Sequence, residues 1–292
     1  MRIGIVGAEN SHTVHIARTL NIDGAVPEAR VTHVWGETPE FARKAAQEGQ
    51  IPTAVSHPPD MIGHIDAVVV DHRDGKHHLP AARPFVEAGL PVFVDKPFCV
   101  DLSEGIEFTR FARARGVPIA SFSTLPLQRS VHDFAGAMGE IVPLRALVTA
   151  GPLDVESPYG GVFFYGIHQV ELMLQLVQAA PLCVAATRHG SDGAVVLTFD
   201  GGPVGVINAL TEWWGGGGFH ASAFGDEGVR HAGLVSDEEP FLAGVLRFCQ
   251  MFSTGVEPDP PSSYLTPVAV LDAMQRSFDT GAAVSVESVP EF

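Results

Sequence analysis

The chain has 292 residues, 46% of them hydrophobic and 18% charged, which is enough for a large core and for about two domains. Its net charge of −16 repels phosphate backbones and anionic lipid, so we expect neither nucleic acid nor a membrane as a partner. The sequence shows no signal peptide and no apolar run of about 20 residues, and its 3 cysteines are widely spaced, which predicts a cytoplasmic protein with reduced thiols and no metal site.

Short apolar strands alternate with helices through residues 1–122. The predicted strands are Arg2–Val6, Arg30–Trp35, Ala67–Val70, Val92–Val94 and 118–122, and the predicted helices are 12–20, 39–48, 78–88 and 102–115. This alternation is typical of a doubly wound parallel sheet in an α/β domain.

A glycine turn joins the first strand to the first helix, where a dinucleotide's pyrophosphate would lie on a helix N-terminus. The usual fingerprint is G-x-G-x-x-G, but residues 7–12 read GAENSH and keep only Gly7. Glu9 and His12 replace the other two glycines, and Glu37 follows the second strand one residue late for a ribose-binding acid. These residues alone predict nucleotide binding only in a diverged form.

The strand Val92–Val94 ends abruptly at Asp95-Lys96-Pro97. Proline lacks an N–H and stops the ladder, so Lys96 is delivered at the carboxyl end of a buried strand, where open α/β sheets place chemistry. The alternative is a solvated lysine beside a turn proline. The exit of the preceding strand, residues 71–73 (DHR), either binds a ligand or forms a surface loop.

Residues 123–292 have a different order of predicted elements, in which strands follow strands and helices lie near the end. The predicted strands are 144–149, 184–188, 194–199, 204–211 and 221–224, with Gly201-Gly202 as a hairpin turn, and the predicted helices are 241–252 and 267–278. This order indicates an α+β domain with a mostly antiparallel open sheet.

His168 opens a further helix, which runs to residue 178, and Glu171 lies three residues later on the same face. A histidine beside an acid is a workable proton relay, although a buried histidine that orients a loop is the alternative. Trp213-Trp214 before a glycine run is either a stacking platform for a sugar or a pair of sheet or interface residues. The pair His77-His78 has no third ligand at a recognisable spacing, so it predicts no metal site.

Asp95-Lys96-Pro97 and the run 160–171 together resemble the glucose–fructose oxidoreductase / inositol dehydrogenase (Gfo/Idh/MocA) family. His78 and the C-terminal residues 241–284 also fit, so the resemblance covers essentially the whole chain. It implies a Rossmann domain over residues 1–122 and, over residues 123–292, an α+β domain that binds substrate and forms a homodimer or homotetramer through its sheet.

The resemblance implies NAD(P)-dependent hydride transfer on a sugar, a cyclitol or a related alcohol or carbonyl compound. The catalytic residues would be Lys96 and His168, and the substrate-binding residues would be Lys96, Tyr165, His168 and Glu171. The cofactor-binding residues would be Gly7, Ala8, Asn10, Ser11, His12, Glu37, Asp71, His72, His78, Asp95, Lys96 and Pro97. No Lys or Arg stands beside Glu37 to read a 2′-phosphate, which favours NAD over NADP.

The chain departs from the family pattern at Phe164, which stands where the family has the acid of Asp-x-Gly-x-His. Together with the lost glycines, this departure leaves two alternatives open. One is an NAD-using lyase or glycosidase of the same family, and the other is a non-catalytic descendant that binds a metabolite or partner.

Overall fold

The computed structural model describes residues 1–213, 215 and 218–292. Trp214, Gly216 and Gly217, which carry part of the predicted stacking platform, lie outside the described residues. The chain forms two compact units: the first contains residues 1–122, 241–265 and 290–292, and the second contains residues 123–240 and 266–289. Residues 241–265 thus pack with the N-terminal unit although they follow the second sheet in sequence.

The first unit is built on a parallel sheet of six strands in the order β3-β2-β1-β4-β5-β6. The strands are β1 (Arg2–Val6), β2 (Arg30–Trp35), β3 (Thr53–Ala54), β4 (Ala67–Val70), β5 (Val92–Val94) and β6 (Ile119–Ala120). β4 and β5 are continuous apolar runs because both of their faces are covered, and all seven of their residues are buried. The strand order reverses between β1 and β4, which is where open α/β sheets bind ligands.

The helices that follow these strands are α1 (His12–Asn21), α2 (Pro39–Glu48), α3 (His78–Glu87) and α4 (Leu102–Arg113). Thr38 accepts a hydrogen bond from the N–H of Phe41 and caps α2, and Asp101 accepts one from the N–H of Glu104 and caps α4. α7 (Leu242–Thr254) also belongs to this unit. None of the described helices is long and apolar enough to cross a membrane.

The second unit contains a seven-stranded sheet in the order β12-β11-β7-β10-β9-β8-β13. The strands are β7 (Leu144–Pro152), β8 (Pro181–His189), β9 (Asp192–Phe199), β10 (Val204–Leu210), β11 (Phe219–Gly225), β12 (Gly228–Leu234) and β13 (Val284–Ser285). All pairings are antiparallel except that of β7 with β10. The remaining helices are α5 (Arg129–Met138), α6 (Val162–Val177) and α8 (Ser262–Thr280).

This architecture confirms the predicted fold class, a doubly wound parallel sheet plus a mostly antiparallel sheet. The prediction that His168 opens a helix is wrong, because α6 begins at Val162 and carries His168 in its second turn. Gly166 lies inside the helix because a side chain there would crowd its neighbours: a Cβ would stand 3.1 Å from Leu153 and 3.2 Å from Leu271.

Candidate active site

The turn after β1 is held by a close backbone contact with the end of β4. Gly7 has a φ of +110°, and a Cβ at this residue would lie 2.5 Å from the carbonyl oxygen of Asp71. Thr13, in the first turn of α1, donates from its hydroxyl to the carbonyl oxygen of Gly7 at 2.7 Å. The one glycine that survives from the fingerprint is therefore required by the packing of β1 against β4.

Glu37, which follows β2, reaches back to this turn. Its Oε2 accepts hydrogen bonds from the N–H groups of Ala8 and Glu9, both at 2.9 Å, and Nδ1 of His72 lies 2.9 Å from its Oε1. Burial alone would raise the pKa of Glu37, but His72 and the turn amides outweigh it and lower the pKa to about 2. Glu37 is thus an ionised carboxylate fixed beside the β1 turn.

The ends of β4 and β5 converge with the start of α1 in a cluster of polar side chains. Nδ1 of His12 lies 3.1 Å from Oδ2 of Asp95, and Nζ of Lys96 lies 3.6 Å from the same oxygen. The amide of Asn10 donates to Asp71 at 2.8 Å and to Asp95 at 3.3 Å. We call this group the Asp95 network; its members are Asn10, His12, Asp71, Asp95 and Lys96.

Burial changes the proton affinity of Asp71. The hydroxyl of Thr13 donates to the carbonyl oxygen of Gly7 and also lies within donating distance of Oδ2 of Asp71. Burial and then the charge of Asp95 raise the pKa of Asp71 well above its usual value, although the hydrogen bond from Thr13 opposes this shift. Asp71 therefore holds a proton to higher pH than Asp95 does.

Asp95 keeps its charge although it is buried. Burial opposes ionisation, but His12 and Lys96 more than offset it and lower the pKa of Asp95 below its usual value. One potential metal-ligand atom from each of His12, Asp71 and Asp95 lies within 4.8 Å of the other two. Since the ammonium of Lys96 already compensates the charge of Asp95, we interpret these residues as a hydrogen-bonded network and not as a metal site.

Lys96 itself is 6% exposed, so the alternative of a solvated lysine at a strand end does not describe it. Ser11 is exposed and makes no side-chain cap for α1, so only its backbone serves the predicted N-cap role. Pro97 is buried, and its carbonyl oxygen lies 2.7 Å from Nδ1 of His78.

His78 is fully buried, and both of its ring nitrogens face backbone carbonyl oxygens. Nδ1 lies 2.7 Å from the oxygen of Pro97, and Nε2 lies 2.8 Å from the oxygen of His72. The ring thus links the exit of β4 to the exit of β5. The geometry favours a positioning role for His78 over the direct cofactor contact that the sequence predicted.

In the second unit, His168 and Glu171 both bond to Ser123. Ser123 Oγ lies 2.7 Å from Nδ1 of His168, and the backbone N–H of Ser123 donates to Oε2 of Glu171 at 2.7 Å. The predicted pairing of histidine and acid on one helix face is therefore real, and one serine, which follows β6, fixes both groups. Tyr165 packs on this site, with its ring centroid 5.5 Å from that of His168.

Phe164 packs among aromatic rings at the start of α6. Its ring centroid is 5.0 Å from that of Tyr159 and 4.9 Å from that of Tyr165. An aromatic cluster thus stands in the position where the family pattern carries an acid.

Sequence reasoning did not single out Thr13, Ser123 or Phe241. Ser123 had a usable signal, because it is a polar residue just past the carboxyl end of a parallel strand. Phe241 had none: its ring lies 4.9 Å from that of His12 and 4.8 Å from that of His15, a contact that only the fold creates.

A parallel sheet whose strand order reverses beside a glycine turn is the arrangement in which open α/β sheets bind their ligands. Residues 1–122 match the model of the GFO_IDH_MocA family, described as an oxidoreductase family with an NAD-binding Rossmann fold. This match agrees with the resemblance seen in the sequence. No curated protein matches the chain significantly.

Solved structures of dehydrogenases have the same fold over nearly the whole chain. Scyllo-inositol dehydrogenase from Lactobacillus casei, with bound NAD(H) and scyllo-inositol, has a TM-score of 0.84 at 16% identity, and 99% of each chain is covered. Myo-inositol 2-dehydrogenase from Lactobacillus plantarum has 0.85 at 16% identity, covering 98% of this chain and 99% of that one. GenD2 from gentamicin A biosynthesis, in complex with NAD, has 0.86 at 18% identity, covering 99% and 97%.

Proposed function

We propose that the protein is an NAD-dependent oxidoreductase that transfers a hydride between the cofactor and a CH–OH group of a cyclitol, sugar or related polyol. The observation that carries this proposal is the buried Lys96 beside an ionised Asp95 at the end of β5, in a unit that matches an NAD-binding oxidoreductase family. The polyol class is supported by the inositol dehydrogenases that have this fold.

The residues of the β1 turn fit a dinucleotide at its adenosine end. Glu37 is ionised and lies against the amides of Ala8 and Glu9, beside the turn where a ribose-binding acid is needed. The N-terminus of α1, at Ser11 and His12, supplies the positive end of a helix dipole for the pyrophosphate. The charge of Glu37 disfavours a 2′-phosphate, so we propose NAD rather than NADP.

In this proposal the bound nicotinamide supplies the hydride acceptor. Lys96 holds the reacting oxygen of the substrate and stabilises negative charge that develops there. His168, oriented by Ser123, is an acid–base group of the second unit, and Tyr165 and Glu171 help to bind the polyol.

The test is the reduction of NAD⁺ followed at its absorbance maximum, with myo-inositol, scyllo-inositol and a panel of sugars. Lys96→Ala should lower kcat by about a thousandfold or more, because a preorganised charge at the reacting oxygen is lost. Lys44→Ala is the matched control, since Lys44 is exposed on α2 and its side chain is 68% accessible. Equal activity of the Lys96 variant and the control would contradict the role given to Lys96.

We further propose that the chain is a homo-oligomer, in the cytoplasm, and that a second copy covers the open face of the second sheet. The pairings β10–β9 and β11–β12 place apolar side chains on that face, and four of them are 38–47% exposed: Val196, Val204, Phe224 and Val229. Light scattering on the purified chain should give a mass at least twice that of one chain. Phe224→Glu should lower this mass.

A further inference from the structure

Three features of His12 set it apart from the rest of the β1 turn. It stands at the position of the third fingerprint glycine, which normally allows close packing of helix and strand. Its Nδ1 lies 3.1 Å from Oδ2 of the buried Asp95. Its side chain is 19% exposed, so the ring is anchored on one side and accessible on another.

The contact with Asp95 fixes the tautomer of His12. Nδ1 of His12 faces Oδ2 of Asp95 at 3.1 Å, and an ionised carboxylate can only accept a hydrogen bond. Neutral His12 therefore carries its hydrogen on Nδ1 and presents a lone pair on Nε2. A buried carboxylate that orients an imidazole in this way is the arrangement used by acid–base histidines in other enzymes.

The orientation of the ring is supported from a second side. The ring of Phe241 meets His12 edge-on, with centroids 4.9 Å apart at an interplanar angle of 62°. Asp95 also lies 3.6 Å from Nζ of Lys96, so one carboxylate positions both the lysine and the histidine. Asp95 therefore fixes the position of the Lys96 side chain relative to that of His12, as a reaction that uses both groups requires.

We propose that His12 and Asp95 form an acid–base pair of the oxidoreductase, a role that rests on the proposed function. In the oxidation of an alcohol, bound NAD⁺ would supply the acceptor for the C–H hydrogen and its electron pair, and Lys96 would hold the oxygen that becomes the carbonyl. The hydroxyl proton passes to Nε2 of His12, and the imidazolium formed is stabilised by Asp95 and then releases a proton to water. In reduction the same steps run in reverse.

This pair supplies a proton acceptor within the first unit. The family pattern has its relay acid at position 164, where this chain has Phe164 in an aromatic cluster. His12 would accept the proton that the acid at position 164 accepts in the family pattern. The titratable groups that face His12 are Asp95 and Lys96 after β5, Asp71 after β4 and His15 on α1.

The kinetic test compares His12→Ala with His15→Ala, since His15 stacks on the same Phe241 ring at 4.8 Å. With NAD⁺ and scyllo-inositol, His12→Ala should lower kcat about a hundredfold and remove one limb of its pH profile, while NAD⁺ affinity by calorimetry changes little. Added imidazole should restore about a tenth or more of kcat, since the lost ring leaves a space beside Asp95. His15→Ala should retain kcat and the pH profile.

A parallel loss of NAD⁺ affinity and kcat without rescue by imidazole would overturn the proposal, because it is the signature of a structural role. An unchanged pH profile in His12→Ala would overturn it too, since the proton would then leave by His168 alone.

A spectroscopic test needs no substrate. Long-range ¹H–¹⁵N correlation spectra of the histidines should show His12 with its hydrogen on Nδ1 in the wild type and a mixture of tautomers in Asp95→Asn. Equal tautomer populations in both proteins would contradict the pair. If the wild type binds no NAD⁺ and transfers no hydride while the Nδ1–H tautomer is present, the proposed function fails and the His12–Asp95 geometry stands, so the two failures are distinguishable.

Discussion

The two units hold their candidate catalytic groups in different ways. In the first unit, Lys96 is placed by buried charge: one ionised carboxylate, Asp95, interacts with a lysine, an imidazole and a side-chain amide. In the second unit, a single serine positions His168 through its hydroxyl and Glu171 through its backbone N–H. A network of buried charges resists partial change, because removing one member leaves another unpaired in a medium of low dielectric constant. Substitutions in the first unit should therefore cost more than those in the second.

The largest effect on stability is expected at the backbone contact that supports the first network. Gly7→Ala would place a Cβ 2.5 Å from the carbonyl oxygen of Asp71 at a φ of +110°, so we expect a loss of about 3–5 kcal/mol in the free energy of unfolding. The control is Gly63→Ala, where φ is +89° and no atom lies within 4 Å of the Cβ, with an expected loss of about 1 kcal/mol. Urea titrations measure the free energy of unfolding of both variants. Equal losses would show that the contact between Gly7 and Asp71 contributes no special stability to the first unit.

A smaller effect, with a distinct pH signature, is expected at Glu37. Its pKa is lowered in the folded state from 4.5 to about 2, so the stability it contributes is fully present above pH 4.5 and is lost as the pH falls toward 2. Glu37→Gln should be about 2 kcal/mol less stable than the wild type at neutral pH, and the difference should shrink through this window.

Urea titrations at several pH values check this prediction, with the exposed Glu87→Gln as a control that should follow the wild type throughout. A difference between Glu37→Gln and the wild type that stays constant from neutral pH to pH 2 would show that the carboxylate charge contributes nothing.

The smallest effect is expected in the second unit. Ser123→Ala removes the hydroxyl that lies 2.7 Å from Nδ1 of His168 but leaves the backbone N–H that binds Glu171. We expect kcat to fall about tenfold, which corresponds to about 1.4 kcal/mol, with little change in stability. Ser130→Ala, which removes a hydroxyl bonded to the carbonyl of Val235 in the same unit, should keep kcat unchanged. A loss as large as that of Lys96→Ala would remove the distinction between the two units.

Most of the fold could be predicted from local signals. Runs of β-branched residues such as Ala67–Val70 predict the buried strands, and the caps at Thr38 and Asp101 mark helix starts that the structure confirms. β12 was missed because Gly228–Leu234 (GVRHAGL) contains two glycines and two adjacent basic residues and has no apolar run. The start of α6 was misplaced because Gly166 was taken as a helix boundary, whereas close packing against Leu153 explains it.

The candidate site divides in the same way. Lys96 and His168 were found because each stands in a short motif with a recognisable spacing. The hydrogen bond between His12 and Asp95 could not be predicted from the sequence. The two residues are 83 positions apart, and only the folded sheet brings the start of α1 next to the end of β5. The raised pKa of Asp71 depends further on burial and on the charge of Asp95, neither of which a sequence pattern records.

We propose that the first unit binds NAD and that Glu37 selects NAD over NADP. Calorimetry with the purified chain measures this directly: we expect one NAD⁺ to bind per chain, NADP⁺ to bind about tenfold or more weakly, and Glu37→Gln to reduce the preference. The absence of binding heat with both cofactors, together with no nicotinamide nucleotide released from the denatured protein, would contradict NAD binding by this chain.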